Sequence, residues 1–206
     1  MLKKIETKSG KEIKKRRLNI IIGVMIVALM VFSSVGYAIL ENDSNSSGSS
    51  YGGYKFVQTN NGWQVTLASF SNKNLITNYL PEEVLNYSGT GADIYYYNSK
   101  ILYVIISSQQ DAQLSSEILR NINDLVSRVQ YACSYDNENS SFCQETNLPL
   151  KDCSDGTSST TIIKIDSNSS STSYNYNQNC LTLNGQGTEF IKMSDNFLFK
   201  MFGIIS

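Results

Sequence analysis

Histidine is absent from the sequence. Its absence excludes Ser-His-Asp and Cys-His catalytic arrangements, zinc sites of the HExxH type and the commonest pH-sensing side chain. The Cys-x-x-Cys, Gly-x-Gly-x-x-Gly and Ser-x-x-Lys motifs are missing as well. A thioredoxin-type redox site, a dinucleotide-binding turn and a Ser-Lys hydrolase therefore have no support in the sequence. We find no catalytic motif, and we expect no metal and no cofactor.

Charge is divided unevenly along the 206 residues. Residues 1–17 carry eight Lys or Arg and two Glu, a net +6, and residues 18–206 carry the remaining nine basic and sixteen acidic residues, a net −7. The basic segment can contact anionic lipid. The acidic remainder would repel a phosphate backbone, so we expect no nucleic-acid partner.

Residues 18–40 contain no charged side chain. A helix of 23 such residues is long enough to span about 30 Å of hydrocarbon. The basic residues that precede it place the N-terminus in the cytoplasm and residues 41–206 on the extracytoplasmic side. We therefore predict a single-pass signal anchor in the cell membrane, preceded by a cytoplasmic tail of residues 1–17. The alternative is a cleaved signal peptide, since Gly36 and Ala38 are small residues two positions apart.

Residues 41–53 read ENDSNSSGSSYGG and contain no aliphatic side chain. Such a composition is typical of a flexible linker. The folded extracytoplasmic domain is then expected over residues 54–206, which is long enough for a hydrophobic core.

Hydrophobic periodicity predicts strands and helices in this domain. The predicted strands are 54–58, 63–69, 100–107, 161–165 and 180–183, and the predicted helices are a short one from Pro81, one from Asp111 to about Gln130, and one from Thr188 to Phe202. Strand 100–107 is almost continuously apolar, which indicates a central position in a sheet. The order of elements predicts an α+β fold with helices packed on a mixed sheet.

Four cysteines lie in the predicted outer domain, at Cys133, Cys143, Cys153 and Cys180. An even number in an oxidising compartment favours two disulfides. Three pairings are possible. We favour Cys133 with Cys180 and Cys143 with Cys153, which would tie the long helix to the last strand and close the polar loop. A redox or metal-binding role has less support, because no two cysteines are closely spaced.

Tyrosine is abundant, with thirteen residues in the chain. Tyrosine rings offer a rigid apolar face with a polar tip, and can bind glycans or proteins. The candidate ligand-binding residues are Tyr95, Tyr97, Tyr103, Tyr174 and Tyr176. The alternative is that they are ordinary strand residues with one face in the core.

A group of short motifs accompanies the basic, apolar N-terminus. They are Gly53–Phe56, Asn61–Trp63, Tyr79–Glu83, Leu148–Cys153 and Asp195–Ile204. Together they resemble small single-pass surface proteins of small-genome archaea. The resemblance implies the same membrane topology and cysteine role, and implies no catalytic residue or ligand.

The sequence as a whole predicts a membrane-anchored envelope protein. Its acidic, disulfide-stapled outer domain is expected to have a binding or structural role, with the lipid bilayer and an envelope protein as partners. The alternatives are a small-ligand or glycan-binding module that uses the tyrosines, or a thiol oxidoreductase.

Overall fold

Strands dominate the part of the chain that the computed structural model describes, which is residues 48–206 and the isolated Met25. The strands are β1 (Gly48–Tyr51), β2 (Tyr54–Thr59), β3 (Gly62–Leu67), β4 (Lys73–Thr77), β5 (Gly89–Thr90), β6 (Ile101–Ile105), β7 (Arg128–Ser134), β8 (Leu150–Lys151), β9 (Thr160–Asp166), β10 (Ser173–Asn177) and β11 (Cys180–Asn184). The helices are α1 (Gln109–Ile122), α2 (Ser141–Thr146) and α3 (Gly187–Met201). The predicted α+β class is confirmed.

The predicted tail, and the predicted transmembrane segment apart from Met25, lie outside the described residues. So do residues 41–47 of the predicted linker. Among the helices within residues 48–206, none combines the length and the hydropathy that a membrane crossing requires.

The first sheet is an antiparallel meander in the order β1-β2-β3-β4. Strand β1 takes residues from the segment predicted as a linker, and Ser49 and Ser50 pair with Phe56 and Lys55. Backbone ladder bonds need no apolar side chain, so composition alone did not reveal this strand. Gly52 and Gly53 have φ of 57° and 86° and form the two-residue turn of the hairpin.

The second sheet has seven strands in the order β5-β10-β11-β9-β6-β7-β8. Strands β6, β7, β8, β9 and β11 run parallel to one another, whereas β10 is antiparallel to β11. The predicted neighbours 161–165 and 180–183 do lie side by side, as β9 and β11. The Ser- and Asn-rich segment between them contains β10, which the sequence pattern did not predict.

Helix α1 is shorter than predicted. It ends at Ile122, and residues 128–130, predicted as helix, begin strand β7. Leu125, Val126 and Val129 continue the helical spacing of apolar residues, and this continuation caused the error. The chain instead reverses after Ile122, and β7 pairs with β6 over five residues, which gives a parallel β-α-β unit.

The two faces of the seven-stranded sheet are covered differently. On one face, a large cluster joins the sheet to the meander and to helices α1 and α3, and its largest fully buried members include Phe56, Leu75, Leu102, Ile118, Phe190 and Phe197. On the other face, the buried cluster contains only Ile105, Ala132, Ile162 and Cys180 among the described residues, with Tyr103 and Cys153 against it. Cys153 and Cys180 lie on this second face.

Side-chain amides connect the helices to the meander and the loop that follows it. Asn121 on α1 accepts a hydrogen bond from Ile76 N and donates one to Ile76 O, both at 2.8 Å. Asn196 on α3 donates to Val84 O at 2.8 Å. Because each amide satisfies backbone groups that have left water, the helices are held in one register.

Candidate functional site

All four cysteines form disulfides in the structure. Cys133 at the end of β7 bonds to Cys143 in α2, with a Cα–Cα distance of 6.0 Å. Cys153, in the turn after β8, bonds to Cys180 at the start of β11, with a Cα–Cα distance of 5.2 Å. The chain's four cysteines all lie within residues 48–206, and none of them is a free thiol. None is therefore available as a nucleophile or as a thiolate ligand without prior reduction.

The pairing favoured from the sequence is wrong. Cys133 lies on β7 and Cys180 on β11, and strands β6 and β9 stand between them. Three inter-strand spacings separate the two strands by about 14 Å. A disulfide needs Cα atoms within about 7 Å of each other, so the two cysteines cannot meet.

A tryptic digest without reductant tests the observed pairing. Cleavage after Arg128, Lys151, Lys164 and Lys192 gives peptides 129–151, 152–164 and 165–192. We expect peptide 129–151 to appear alone, two mass units light because of its internal disulfide, and 152–164 to appear linked to 165–192. Either other pairing would join all three peptides into one product. Alkylation of unreduced protein should label no cysteine.

Two of the candidate tyrosines are buried, which is at odds with a ligand-binding role for them. Tyr97 is fully buried, its ring lies 6.4 Å from that of Phe197, and burial raises its pKa. Tyr174 packs on the same ring at 5.6 Å. Its hydroxyl donates to Asn196 Oδ1 at 2.7 Å, and burial raises its pKa to about 12. Both rings belong to the large core cluster.

Tyr103 and Tyr176 are half-buried. Tyr103 lies on the second face of the large sheet, with Lys151 Nζ 5.2 Å from the centre of its ring. The Tyr176 ring lies 5.6 Å from the Tyr96 ring, and its hydroxyl donates to Asn179 Oδ1 at 3.3 Å. Each ring is already engaged by neighbours within the domain.

Tyr95 is the candidate tyrosine that the structure leaves exposed. Its side chain is 74% exposed, although its backbone is fixed in a 3-10 turn by a hydrogen bond from Tyr95 N to Asp93 Oδ1. The ring borders a cleft of about 320 Å³, called here the Tyr95 cleft. Its lining residues are Phe70, Ser71, Lys73, Ile94, Tyr95, Asn98, Asp124 and Leu125. The volume is within the range of small-molecule sites.

The Tyr95 cleft combines aromatic surface with a small number of polar groups. Phe70 is held in place by an edge-on contact with Phe202 at 5.6 Å. Lys73 and Asp124 form an ion pair in which the lysine side chain is 9% exposed and the aspartate 65% exposed. The carboxylate is therefore presented to solvent with its charge already balanced. This arrangement suits an uncharged ligand that offers hydroxyl groups.

The sequence pattern identified Tyr95 but not the residues that complete its cleft. Phe70 and Lys73 come from the loop and strand after β3, whereas Asp124 follows α1. Asp124 falls within the longer helix that the sequence predicted. No local pattern joins Lys73 to Asp124, which are 51 positions apart; only the docking of α1 against β4 brings them together.

A buried carboxylate lies elsewhere in the domain, between α3 and the loop after β4. Asp195 is fully buried, and its Oδ2 accepts hydrogen bonds from Asn78 N at 2.8 Å and Tyr79 N at 2.9 Å. Its Oδ1 has no partner within residues 48–206. Burial raises the pKa of Asp195 to about 7, although the two backbone bonds and Arg120 oppose that shift. Its two hydrogen bonds to backbone amides hold the loop after β4 against α3, which is a structural role.

Comparison with known proteins gives no match to a family model, a curated protein or a solved structure. The function must therefore be inferred from the geometry of this chain alone.

Proposed function

We propose that the chain is a membrane-anchored envelope protein whose extracytoplasmic domain binds a component of the envelope. The uncharged segment 18–40 and the basic residues before it support an anchor with a cytoplasmic N-terminus. The two disulfides favour an oxidising compartment for the domain. The lipid bilayer is the proposed partner of the anchor, and the net charge of −7 after residue 17 disfavours nucleic acid.

The Tyr95 cleft is the observation that carries the binding role. A large, rigid aromatic ring that stays in solvent loses little conformational freedom when a ligand covers it. The C–H face of a sugar ring can pack on such a ring, while Asp124, Asn98 and Ser71 accept or donate hydrogen bonds to its hydroxyl groups. We therefore propose an envelope saccharide as the ligand, carried either by a glycan or by a glycosylated envelope protein.

A thiol oxidoreductase is less well supported. Its chemistry requires a reactive thiolate beside a second cysteine, as in Cys-x-x-Cys, and here the bonded cysteines are separated by 10 and 27 positions. The Cys153–Cys180 disulfide also belongs to the smaller core cluster, which favours a structural role for that bond.

Saccharide binding by the full-length protein in detergent micelles tests the proposal. A panel of mono- and oligosaccharides is screened by calorimetry, and Tyr95→Ala is expected to lower the affinity of any bound sugar by about tenfold or more. Tyr95→Phe retains the stacking face and should bind nearly as well as the wild type.

The matched control is Tyr135→Ala, because Tyr135 is 50% exposed but lies outside the Tyr95 cleft. It should leave affinity unchanged. The proposal fails if no sugar in the panel binds, or if both alanine variants behave like the wild type.

A further inference from the structure

The order of strands in the large sheet creates a second cleft. From β6 the chain passes through α1 to β7 on one side. From β9, which pairs with β6 on the other side, it continues away from β6 to β10 and β11. The segments that leave the carboxyl ends of β6 and β9 therefore diverge. In open sheets of parallel strands, ligands bind in the crevice at such a point.

A cleft of about 460 Å³ lies at this position, called here the switch-point cleft. It is lined by Ser107, Asn137, Ser140, Lys164, Ile165, Asp166 and Asn168. These residues follow β6, follow β7, or lie in or just after the end of β9. All but Ile165 are polar, in contrast to the aromatic Tyr95 cleft.

The two sides of the switch-point cleft are fixed to each other by a buried carboxylate. Asp111 is fully buried and accepts hydrogen bonds from Ser107 N and Ser107 Oγ, both at 2.7 Å, and from Ser167 N at 3.2 Å. It thereby joins the segment after β6 to the segment after β9. A ligand would meet a cleft that is already formed, which reduces the entropic cost of binding.

Charges of both signs reach into the switch-point cleft from one strand. Lys164 and Asp166 are two positions apart on β9, so they lie on the same face with Cα atoms about 7 Å apart. Lys164 Nζ lies 3.8 Å from Asp136 Oδ2, the outer limit of an ion pair, and the Asp136 side chain is 80% exposed. Lys164 keeps donors available, and within residues 48–206 the side-chain amides of Asn137 and Asn168 make no hydrogen bond.

We propose that the switch-point cleft binds a small zwitterion of the α-amino-acid class. Its carboxylate would lie against Lys164 and the Asn137 amide, and its ammonium group against the Asp166 carboxylate. Such a ligand is neutral overall and matches the opposite charges of the two side chains, whereas a simple anion would be repelled by Asp166. The site shares no lining residue with the Tyr95 cleft. The outcome of the saccharide experiment therefore does not decide whether this site binds an amino acid.

Calorimetry with the full-length protein in micelles tests this site, and the probes are the free proteinogenic L-amino acids. We expect at least one to bind, and Lys164→Met and Asp166→Asn each to weaken that binding by about tenfold or more. The corresponding amine without the carboxylate, and the carboxylic acid without the amine, should each bind at least about tenfold more weakly than the amino acid.

The control variant is Lys192→Met, which removes a lysine that pairs with Glu189 on α3, outside the cleft. It should bind like the wild type, and a cooperative denaturant-unfolding transition verifies that every variant is folded. The inference is overturned if no amino acid binds, if Lys164→Met binds normally, or if the acid alone binds as well as the amino acid. The last result would identify a simple anion site.

Discussion

Replacing Asp195 with asparagine should stabilise the protein at pH 8 and leave its stability nearly unchanged at pH 4. The folded-state pKa of about 7 lies above the ordinary value of 3.8. Between these values the unfolded chain loses the Asp195 proton while the folded protein retains it. Wild-type stability therefore falls by about 1.4 kcal/mol per pH unit in this window, and by about 4 kcal/mol in all. Asparagine does not ionise and avoids this loss.

Denaturant unfolding of the wild type and Asp195→Asn from pH 4 to pH 8 measures the effect. The difference between the two free energies of unfolding is the useful quantity, because other groups also titrate. Asp111 acts in the opposite direction: burial raises its pKa, but Ser167 and Ser107 outweigh burial and hold it below its usual value. That contribution is common to both proteins and cancels.

Burial is the main cause of the raised Asp195 pKa, and charged neighbours modify it. Glu117 on α1 raises its pKa and Arg120 on the same helix lowers it, and these two pair at 2.9 Å. Glu138→Gln, which neutralises an exposed carboxylate, should show no comparable pH-dependent difference. A difference for Asp195→Asn that stayed constant from pH 4 to pH 8 would show that the buried carboxylate does not retain its proton.

Replacing Phe197 with alanine should lower the free energy of unfolding by about 3–5 kcal/mol. The ring is fully buried and lies against the rings of Tyr97 and Tyr174. It also approaches Gly91 so closely that the Cβ of any other residue there would lie 3.4 Å from the ring. Removing the ring leaves a cavity bounded by three elements, and these cannot all collapse into it.

The same denaturant measurement, with Phe197→Leu and Tyr95→Ala as companions, checks this. Leucine fills part of the cavity and should cost less than alanine. Tyr95→Ala removes an aromatic ring that is 74% exposed, so it should change stability by about 0.5 kcal/mol or less. Equal losses for Tyr95→Ala and Phe197→Ala would contradict the assignment of one ring to the surface and the other to the core.

Much of the fold could be predicted from local pattern. Strand β6 is a continuous apolar run, and α3 carries apolar residues at helical spacing, so both were recognised. Strand β10 was missed because its sequence, SYNYN, has the composition of a loop. This segment forms a strand because it pairs with β11 and because Tyr174 is buried. Such tertiary contacts leave no pattern in a short stretch of sequence.

The candidate sites were less predictable for the same reason. Tyr95 could be singled out as an aromatic residue, but its exposure could not. Its neighbours Tyr96 and Tyr97 pack against β10 and α3, and Tyr95 is left in solvent. Lys164 and Asp166 lie at the end of a strand that the sequence predicted. They share a cleft with Asn137, however, only because the strands are ordered β7-β6-β9. That order is a property of the sheet as a whole. The same order explains why the favoured disulfide pairing was wrong.

The two disulfides follow one another along the chain without overlap, from Cys133 to Cys143 and from Cys153 to Cys180. If the outer domain is translocated starting from its N-terminal end, while the basic tail stays in the cytoplasm as proposed, it presents these thiols to an oxidant in that order. Each second cysteine then finds only its native partner still reduced, so stepwise oxidation during translocation gives the correct bonds directly. In a nested or crossed pattern, the first two cysteines to emerge would not be native partners. The bond between them would be non-native, and thiol–disulfide exchange would be needed to replace it. Maturation of this domain should therefore need an oxidant but no isomerase.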